Sequence, residues 1–285
     1  MDISIEQVKA LREKTGAGIL DCQKALTESN GDFEKAIEIL RKKGAAASQK
    51  RIDRIAKEGL IIAKTNTDRN EAVIVEVNSE TDFVSRSSEF QKFTGSVVEA
   101  VFMAKKNTLP DVLKQTINGL TLEQAFDELL EKVGEKCEIR RCAYFTSQDG
   151  FFCEYNHVGN KIASIIELQG KITDDGKILG NELAMQVVAM KPIAIDRTEI
   201  AQEVIEKEKE IYTEQARNEK KPEKIIEKIV ANKVEKYFQE NTLVDQEFIK
   251  EAGKSVNDII NSVNKKTGVE YKVKRMVRYQ LGETL

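Results

Sequence analysis

The chain has 285 residues, 40% hydrophobic and 33% charged, with 45 basic against 48 acidic side chains and a formal net charge of −3. That length asks for two or more domains, and the near-balanced charge lacks the basic excess of a nucleic-acid binder. Apolar runs are short and broken by charge, which excludes a bilayer-spanning helix. Met1-Asp2-Ile3-Ser4-Ile5-Glu6 also lacks the basic-then-apolar order of a secretory signal, so a cytoplasmic location is expected.

Residues 3–43 read as a compact helical unit. Ile5, Val8, Leu11 and Arg12 follow the stripe of a first helix, which ends before Thr15-Gly16-Ala17-Gly18, where two glycines permit a reversal. A second helix places Ile19, Leu20, Cys22, Ala25 and Leu26 on its apolar side. It stops at Ser29-Asn30-Gly31-Asp32, whose glycine suits a C-terminus and whose aspartate suits the next N-cap. A third helix carries Phe33, Ala36, Ile37, Ile39 and Leu40 and ends near Gly44. So thin a core fits docking better than catalysis. Residues 45–58 read as a linker. The basic run from Arg41 to Lys57, opposed only by Asp53, has no interleaved aromatics for base stacking and reads as a solvated connector.

From Gly59 the period changes. Leu60–Ala63 and Val73–Val77 form two strands around the turn Asp68-Arg69-Asn70. The second strand breaks into Asn78-Ser79-Glu80-Thr81-Asp82, a cluster that favours turns and caps. Phe83 follows, and two readings of it stand: an aromatic folded back over the local core, or an apolar wedge presented to a partner beside Asp82. Ser87 or Ser88 caps a helix bearing Phe90, Phe93, Val97, Val98, Val101 and Phe102, which breaks at Asn107-Thr108-Leu109-Pro110. A further helix spans about Leu122–Val133, Gly134-Glu135 ends it, and Cys137–Phe145 is a third strand.

The order strand, strand, helix, helix, strand then recurs. Phe151–Tyr155 and Ile162–Leu168 make a hairpin, Ile178–Met190 a helix, and Glu270–Leu281 the last strand. Before that strand, Ser255 and Asp258 frame a capping box for a helix with Val256, Ile259, Ile260 and Val263. Between the second unit's helices, Ile200, Val204, Ile205, Ile211 and Tyr212 share one helical side. After the turn at Asn218–Pro222, residues Ile225 to Phe238 continue on another helix, so the two should pair as an antiparallel hairpin. Its outer face leaves association of two copies open. The predicted architecture is thus α+β: an N-terminal helical module (1–44), a linker (45–58), core units at 59–147 and at 148–195 plus 241–285, and an inserted coiled-coil hairpin (196–240).

Cys137, Cys142, Cys153 and His157 cluster with the spacing C-x4-C-x10-C-x3-H, which lacks the C-x2-C knuckle of a zinc site. No metal or other cofactor is expected. There is no P-loop, dinucleotide fingerprint or nucleophile-base pair, and a single histidine leaves few acid-base options, so an enzyme is not expected.

Four strings, in one order along nearly the whole chain, resemble bacterial elongation factor Ts. Residues Leu11 to Leu26, LREKTGAGILDCQKAL, are similar to that family's N-terminal signature, and Glu76-Val77-Asn78-Ser79-Glu80-Thr81-Asp82-Phe83-Val84 to its central motif. Val133-Gly134-Glu135 with Ile139-Arg140-Arg141 resembles a third signature, and Met190-Lys191-Pro192 a fourth. The resemblance implies a guanine-nucleotide exchange factor whose partner is elongation factor Tu, with no nucleic acid, membrane or small-molecule substrate of its own. It implies a UBA-like fold for the N-terminal module, and a role for Thr81, Asp82, Phe83 and Val84 in disturbing the partner's magnesium site. Arg12, Ile19, Leu20, Asp21 and Gln23 would contact the partner from the N-terminal module, and Val133, Gly134 and His157 from the core. Gln23 stands where the family often has lysine, and the chain ends soon after Gly282, without the extra C-terminal module of some members. The reading from another class is a dimeric adaptor, whose partner binding would ignore guanine nucleotide.

Overall fold

A computed structural model of the protein describes residues 3–15, 17, 19–40 and 56–284, and it is a mixture of helix and strand. Most of the basic run and of the expected linker falls on residues 41–55, outside the described residues, as do Gly16, Gly18 and the end of the third helix.

Helices α1 (Ile5–Thr15), α2 (Ile19–Glu28) and α3 (residues 33–40) enclose one small core of Val8, Leu11, Cys22, Ala25, Leu26, Ala36 and Leu40, with Ile3 and Phe33 packed at its edge. Ser4 and Gln7 cap α1 reciprocally at 3.0 and 3.1 Å. Asp32 caps α3, its Oδ1 accepting from the backbone of Glu34 and Lys35, both at 3.1 Å. Three side chains assigned to the apolar stripes are instead exposed: Ile5 at 75%, Ile19 at 55% and Leu20 at 69%. Three short helices have too little interior to enclose every apolar group, and the stripe Cys22, Ala25 and Leu26 already fills it.

The chain divides into two compact units, Met1–Ile62 with Val75–Tyr144 and Leu281–Leu285, and Ala63–Ile74 with Phe145–Gln280. Strands β1 (Glu58–Thr65) and β2 (Glu71–Ser79) are followed by the short helix α4 (Asp82–Ser85) and by α5 (Ser88–Ala104). Ser87 caps α5, and Phe90, Phe93, Val97, Val98 and Val101 line its buried face. Next come α6 (Leu109–Leu113), a two-residue-strand hairpin β3 (Thr116–Ile117) and β4 (Leu120–Thr121), and α7 (Leu122–Val133). Strand β5 (Cys137–Thr146) completes a sheet of order β1-β2-β5. The predicted break at Asn107–Pro110 therefore holds a further short helix, since Pro110 sits in its first turn where no amide partner is needed. Asn118 and Gly119, at φ 53° and 88°, supply the left-handed pair for the β3–β4 turn.

Ala72 to Ser79 of β2 are all buried, including Glu76, which has no exposure. Its two carboxylate oxygens accept from Arg140 Nη1 at 2.9 Å and Arg141 Nε at 2.6 Å on β5. At Gly59 the strands approach so closely that a Cβ would lie 2.2 Å from the Val77 carbonyl oxygen.

In the second unit, β6 (Gly150–Asn156), β7 (Ile162–Gln169) and β8 (Lys272–Gln280) form an antiparallel sheet of that order, with a register shift at Glu167/Leu168. Phe151, Cys153, Ile166 and Leu168 of the sheet pack with Leu179, Leu183 and Val187 of α8 (Asp174–Met190) and with Val256 and Ile260 of α11 (Val256–Thr267). Helix α8 begins four residues before the predicted Ile178, because Thr173 caps it by accepting from Gly176 N at 3.0 Å. A Cβ at Gly180 would stand 2.4 Å from Cys153 Sγ, so the glycines let α8 lie close on the sheet.

The insertion is a helical pair, α9 (Gln202–Asn218) and α10 (Glu223–Asn241), joined near Ile205, Ala216, Ile226 and Val234, which are buried. Val204, Ile211 and Ile225, assigned to the same stripes, are 41%, 38% and 43% exposed, since a two-helix pair buries only one narrow seam. Arg197 lies at its base, with guanidinium nitrogens 2.6 Å from Glu235 and 2.9 Å from Asp245 and its plane 4.8 Å from the Phe238 ring. The Asn156 side chain pairs with both backbone groups of Ala63 on β1, accepting from its N and donating to its O at 2.8 Å each.

Candidate functional site

The β2–α4 turn is assembled from polar side chains that bond to backbone. Thr81 is the N-cap of α4, in extended conformation, and its Oγ1 accepts from Val84 N at 3.4 Å. Ser79 Oγ donates to Thr81 O at 2.9 Å, Ser85 Oγ donates to Asp82 O at 3.0 Å, and Asp82 pairs with Arg86 at 3.0 Å. These bonds shape four residues that could not hold a helix alone. Phe83, in the middle, is 84% exposed, so the ring does not cover the local core. Phe90 and Phe93 occupy that core instead, at 0% and 5% exposure. An exposed phenyl group on a braced turn can enter a partner's pocket at little ordering cost.

A second turn meets the first. Gly134 ends α7 at φ 71°, a left-handed cap that side chains with a Cβ adopt reluctantly. The next residue, Glu135, accepts from Thr81 Oγ1 at 3.0 Å and from Thr81 N at 3.1 Å. Glu80 answers by accepting from Lys136 N at 2.6 Å. By local pattern Gly134-Glu135 is a helix stop, and neither glutamate has a contact predictable from it. A left-handed glycine followed at once by an acidic residue was the available signal.

Of the other candidates, Val133 is half-buried and Gly134 exposed, both on this turn. Arg12, Ile19, Leu20, Asp21 and Gln23 are all exposed, with Ile19, Leu20 and Asp21 in the first turn of α2. Ile5, Ile19 and Leu20 are the exposed large apolar side chains among the module's described residues. His157 is exposed in the β6–β7 loop, its Nδ1 3.1 Å from Tyr155 Oη, beside Val158, which is 90% exposed.

The Cys142 and Cys153 thiols are poor nucleophiles. Burial pushes the Cys153 thiol up to about 12, with Arg69 opposing, and burial also raises Cys142. Among the described residues, no group of three or more His, Cys, Asp or Glu side chains is gathered as a metal ion would require, and no helix is long and apolar enough to cross a membrane.

The family model described as Elongation factor TS matches residues 80–283. The chain is 44% identical to the elongation factor Ts of Chloroherpeton thalassium, covering 99% of each chain, and 41% identical to that of Chlorobium phaeobacteroides, covering 98% of this chain and 99% of the relative. It is 39% identical to the elongation factor Ts of Clostridium perfringens, over 99% of this chain and 93% of the relative. The chain belongs to the elongation factor Ts family, whose members serve the elongation step of protein biosynthesis.

Proposed function

We propose that the protein is a guanine-nucleotide exchange factor that acts on elongation factor Tu. It binds the GDP form, disturbs the magnesium and phosphate site, and releases GDP so that GTP can enter. The observation that carries this reading is Phe83, 84% exposed at the centre of a turn fixed from both sides. A bound magnesium ion is among the largest local charges in a nucleotide site, holding phosphate oxygens to protein oxygens. Pushing a phenyl ring among the elements that order those ligands weakens the hold on nucleotide without breaking any bond. Linkage then makes GDP weaken the factor's own binding by the same ratio. Asp82 supports the turn through Arg86, while Thr81 and Val84 shape its backbone.

In this reading the helical module (1–44) docks on the partner through Arg12, Ile19, Leu20, Asp21 and Gln23, while Val133, Gly134 and His157 add contacts from the core. The factor works in the cytoplasm, carries no cofactor, and performs no covalent chemistry. The helical hairpin (196–240) is a separate arm, available for pairing with a second copy. The module's fold is UBA-like, and the core (59–147, and 148–195 plus 241–285) is an internal duplication. The pairs Gly59 and Gly150, Glu76 and Glu167, and Val77 and Leu168 share one separation along the chain. Gly59 and Gly150 abut the carbonyls of Val77 and Leu168, with built Cβ distances of 2.2 and 2.3 Å. Glu76 and Glu167 each meet arginine from the closing strand, at 2.6 Å for Arg141 and 3.2 Å for Arg275.

The test is release of a fluorescent GDP analogue from purified elongation factor Tu. The protein should accelerate release strongly. Phe83→Ala should lower that acceleration about 30-fold if the ring contributes about 2 kcal/mol on burial. Its stability should change by less than about 0.5 kcal/mol, because the ring is exposed in the free protein. A wild-type protein that leaves release unchanged overturns the proposal, and an unimpaired Phe83→Ala overturns the wedge.

A further inference from the structure

We infer that Glu135 is a positioning residue for the exchange tip: its carboxylate latches Thr81 and thereby fixes the direction in which Phe83 is presented. The inference rests on the exchange reading above. Helix α4 is four residues long, and its N-cap bond, Val84 N to Thr81 Oγ1, is long at 3.4 Å. With the Phe83 ring 84% exposed, little of its aim comes from packing. The aim is set by where α4 starts, which is Thr81. That residue is held by two donors on one carboxylate, its N–H at 3.1 Å and its hydroxyl at 3.0 Å from Glu135. Glu80 closes the opposite side of the junction by accepting from Lys136 N at 2.6 Å. Two backbone turns distant in sequence are thus tied by reciprocal charge-assisted bonds, which are stronger than neutral ones.

The second unit holds a counterpart that is uncharged. Thr173 caps α8, its Oγ1 lies 2.8 Å from Tyr271 Oη, and that hydroxyl donates to Lys171 O at 3.0 Å. Tyr271 stands just ahead of β8, as Glu135 stands just ahead of β5. There the cap begins a 17-residue helix, and Tyr271 is 1% exposed. In the first unit the helix is too short to orient itself, and a carboxylate does the orienting.

The experiment uses the full chain and elongation factor Tu loaded with a fluorescent GDP analogue. The maximal release rate at saturating factor and the half-saturating concentration are measured for Glu135→Ala, Glu135→Gln, Thr81→Val and Phe83→Ala. Glu135→Ala should lower the maximal rate about tenfold, equivalent to about 1.4 kcal/mol, with little change in half-saturation. Thr81→Val keeps the N–H but loses the hydroxyl donor, so it should lower the maximal rate in the same direction as Glu135→Ala and by a smaller factor. In a Phe83→Ala background, Glu135→Ala should cause no further loss, because the group it aims is gone. Should Glu135→Ala fail to fold, Glu135→Gln takes its place in both comparisons, alone and in the Phe83→Ala background. A normal Glu135 variant beside a slowed Phe83→Ala overturns the latch and spares the wedge. A further loss in the Phe83→Ala background also overturns it, since Glu135 would then act independently of the ring. An unimpaired Phe83→Ala overturns the wedge and the latch with it.

Discussion

Replacing Glu76 with glutamine tests whether the buried ion triad on β2 and β5 holds the first sheet together. Glu76 has no exposed surface, and its oxygens meet Arg140 at 2.9 Å and Arg141 at 2.6 Å. Glutamine keeps the volume and one acceptor but turns an NH2 toward one guanidinium, leaving a cation without its counter-charge. Removing one partner of a buried pair typically costs about 3–5 kcal/mol. Two features reduce that figure here. The arginine side chains retain 20% and 16% exposure, and Arg141 has a second carboxylate, Glu283, at 3.4 Å. The expected loss is therefore about 2–3 kcal/mol, read as a lower urea midpoint followed by circular dichroism. Because the carboxylate is buried, the loss should persist in about 0.5 M NaCl, where exposed pairs are screened. A loss under about 0.5 kcal/mol, within the scatter of ordinary surface substitutions, would refute the assignment.

Gly180→Ala should destabilise the protein by about 1–3 kcal/mol, although alanine is the better helix former, because its Cβ would meet Cys153 Sγ at 2.4 Å. A neutral or raised urea midpoint would contradict the close fit of α8 on its sheet. Hydrogen bonding from Arg197, then from Thr242, holds the Asp245 carboxyl below its ordinary range against some desolvation. A lowered folded-state value gives stability that is complete above the unfolded value of about 3.9 and fades as pH falls through the folded one. The gap in urea midpoint between wild type and Asp245→Asn should accordingly be widest near neutral pH and shrink on acidification below about pH 4. A gap constant down to about pH 2 would show that the carboxylate's charge is not what matters.

Much of the secondary structure was written in local pattern. Leu122–Val133 appears with the predicted limits because Thr121 and Gly134 mark its ends, and the Ser255–Asp258 capping box starts α11 as expected. The start of α8 was hidden for a physical reason: Gly176, a weak helix former by propensity, lies in its first turn, where close packing against Tyr271 requires it. Exposure at Ile19 and Leu20 was equally out of reach, since helical spacing gives a face but not the size of the core awaiting it. The two readings of Phe83 could not be separated along the chain, because the choice depends on whether Phe90 and Phe93 already fill the space beneath. Glu135 reaches Thr81 across 54 residues, a pairing that no window of local sequence contains.

The Asn156 side chain has a consequence for how molecules of this protein meet one another. Strand β1 is the outermost member of its sheet, and an outer strand offers a row of peptide groups on which a foreign chain can template itself. By taking both the amide and the carbonyl of Ala63, the Asn156 carboxamide imitates a neighbouring strand one residue long and ends the row there. Aggregation by strand addition would have to begin elsewhere than at this point of the edge.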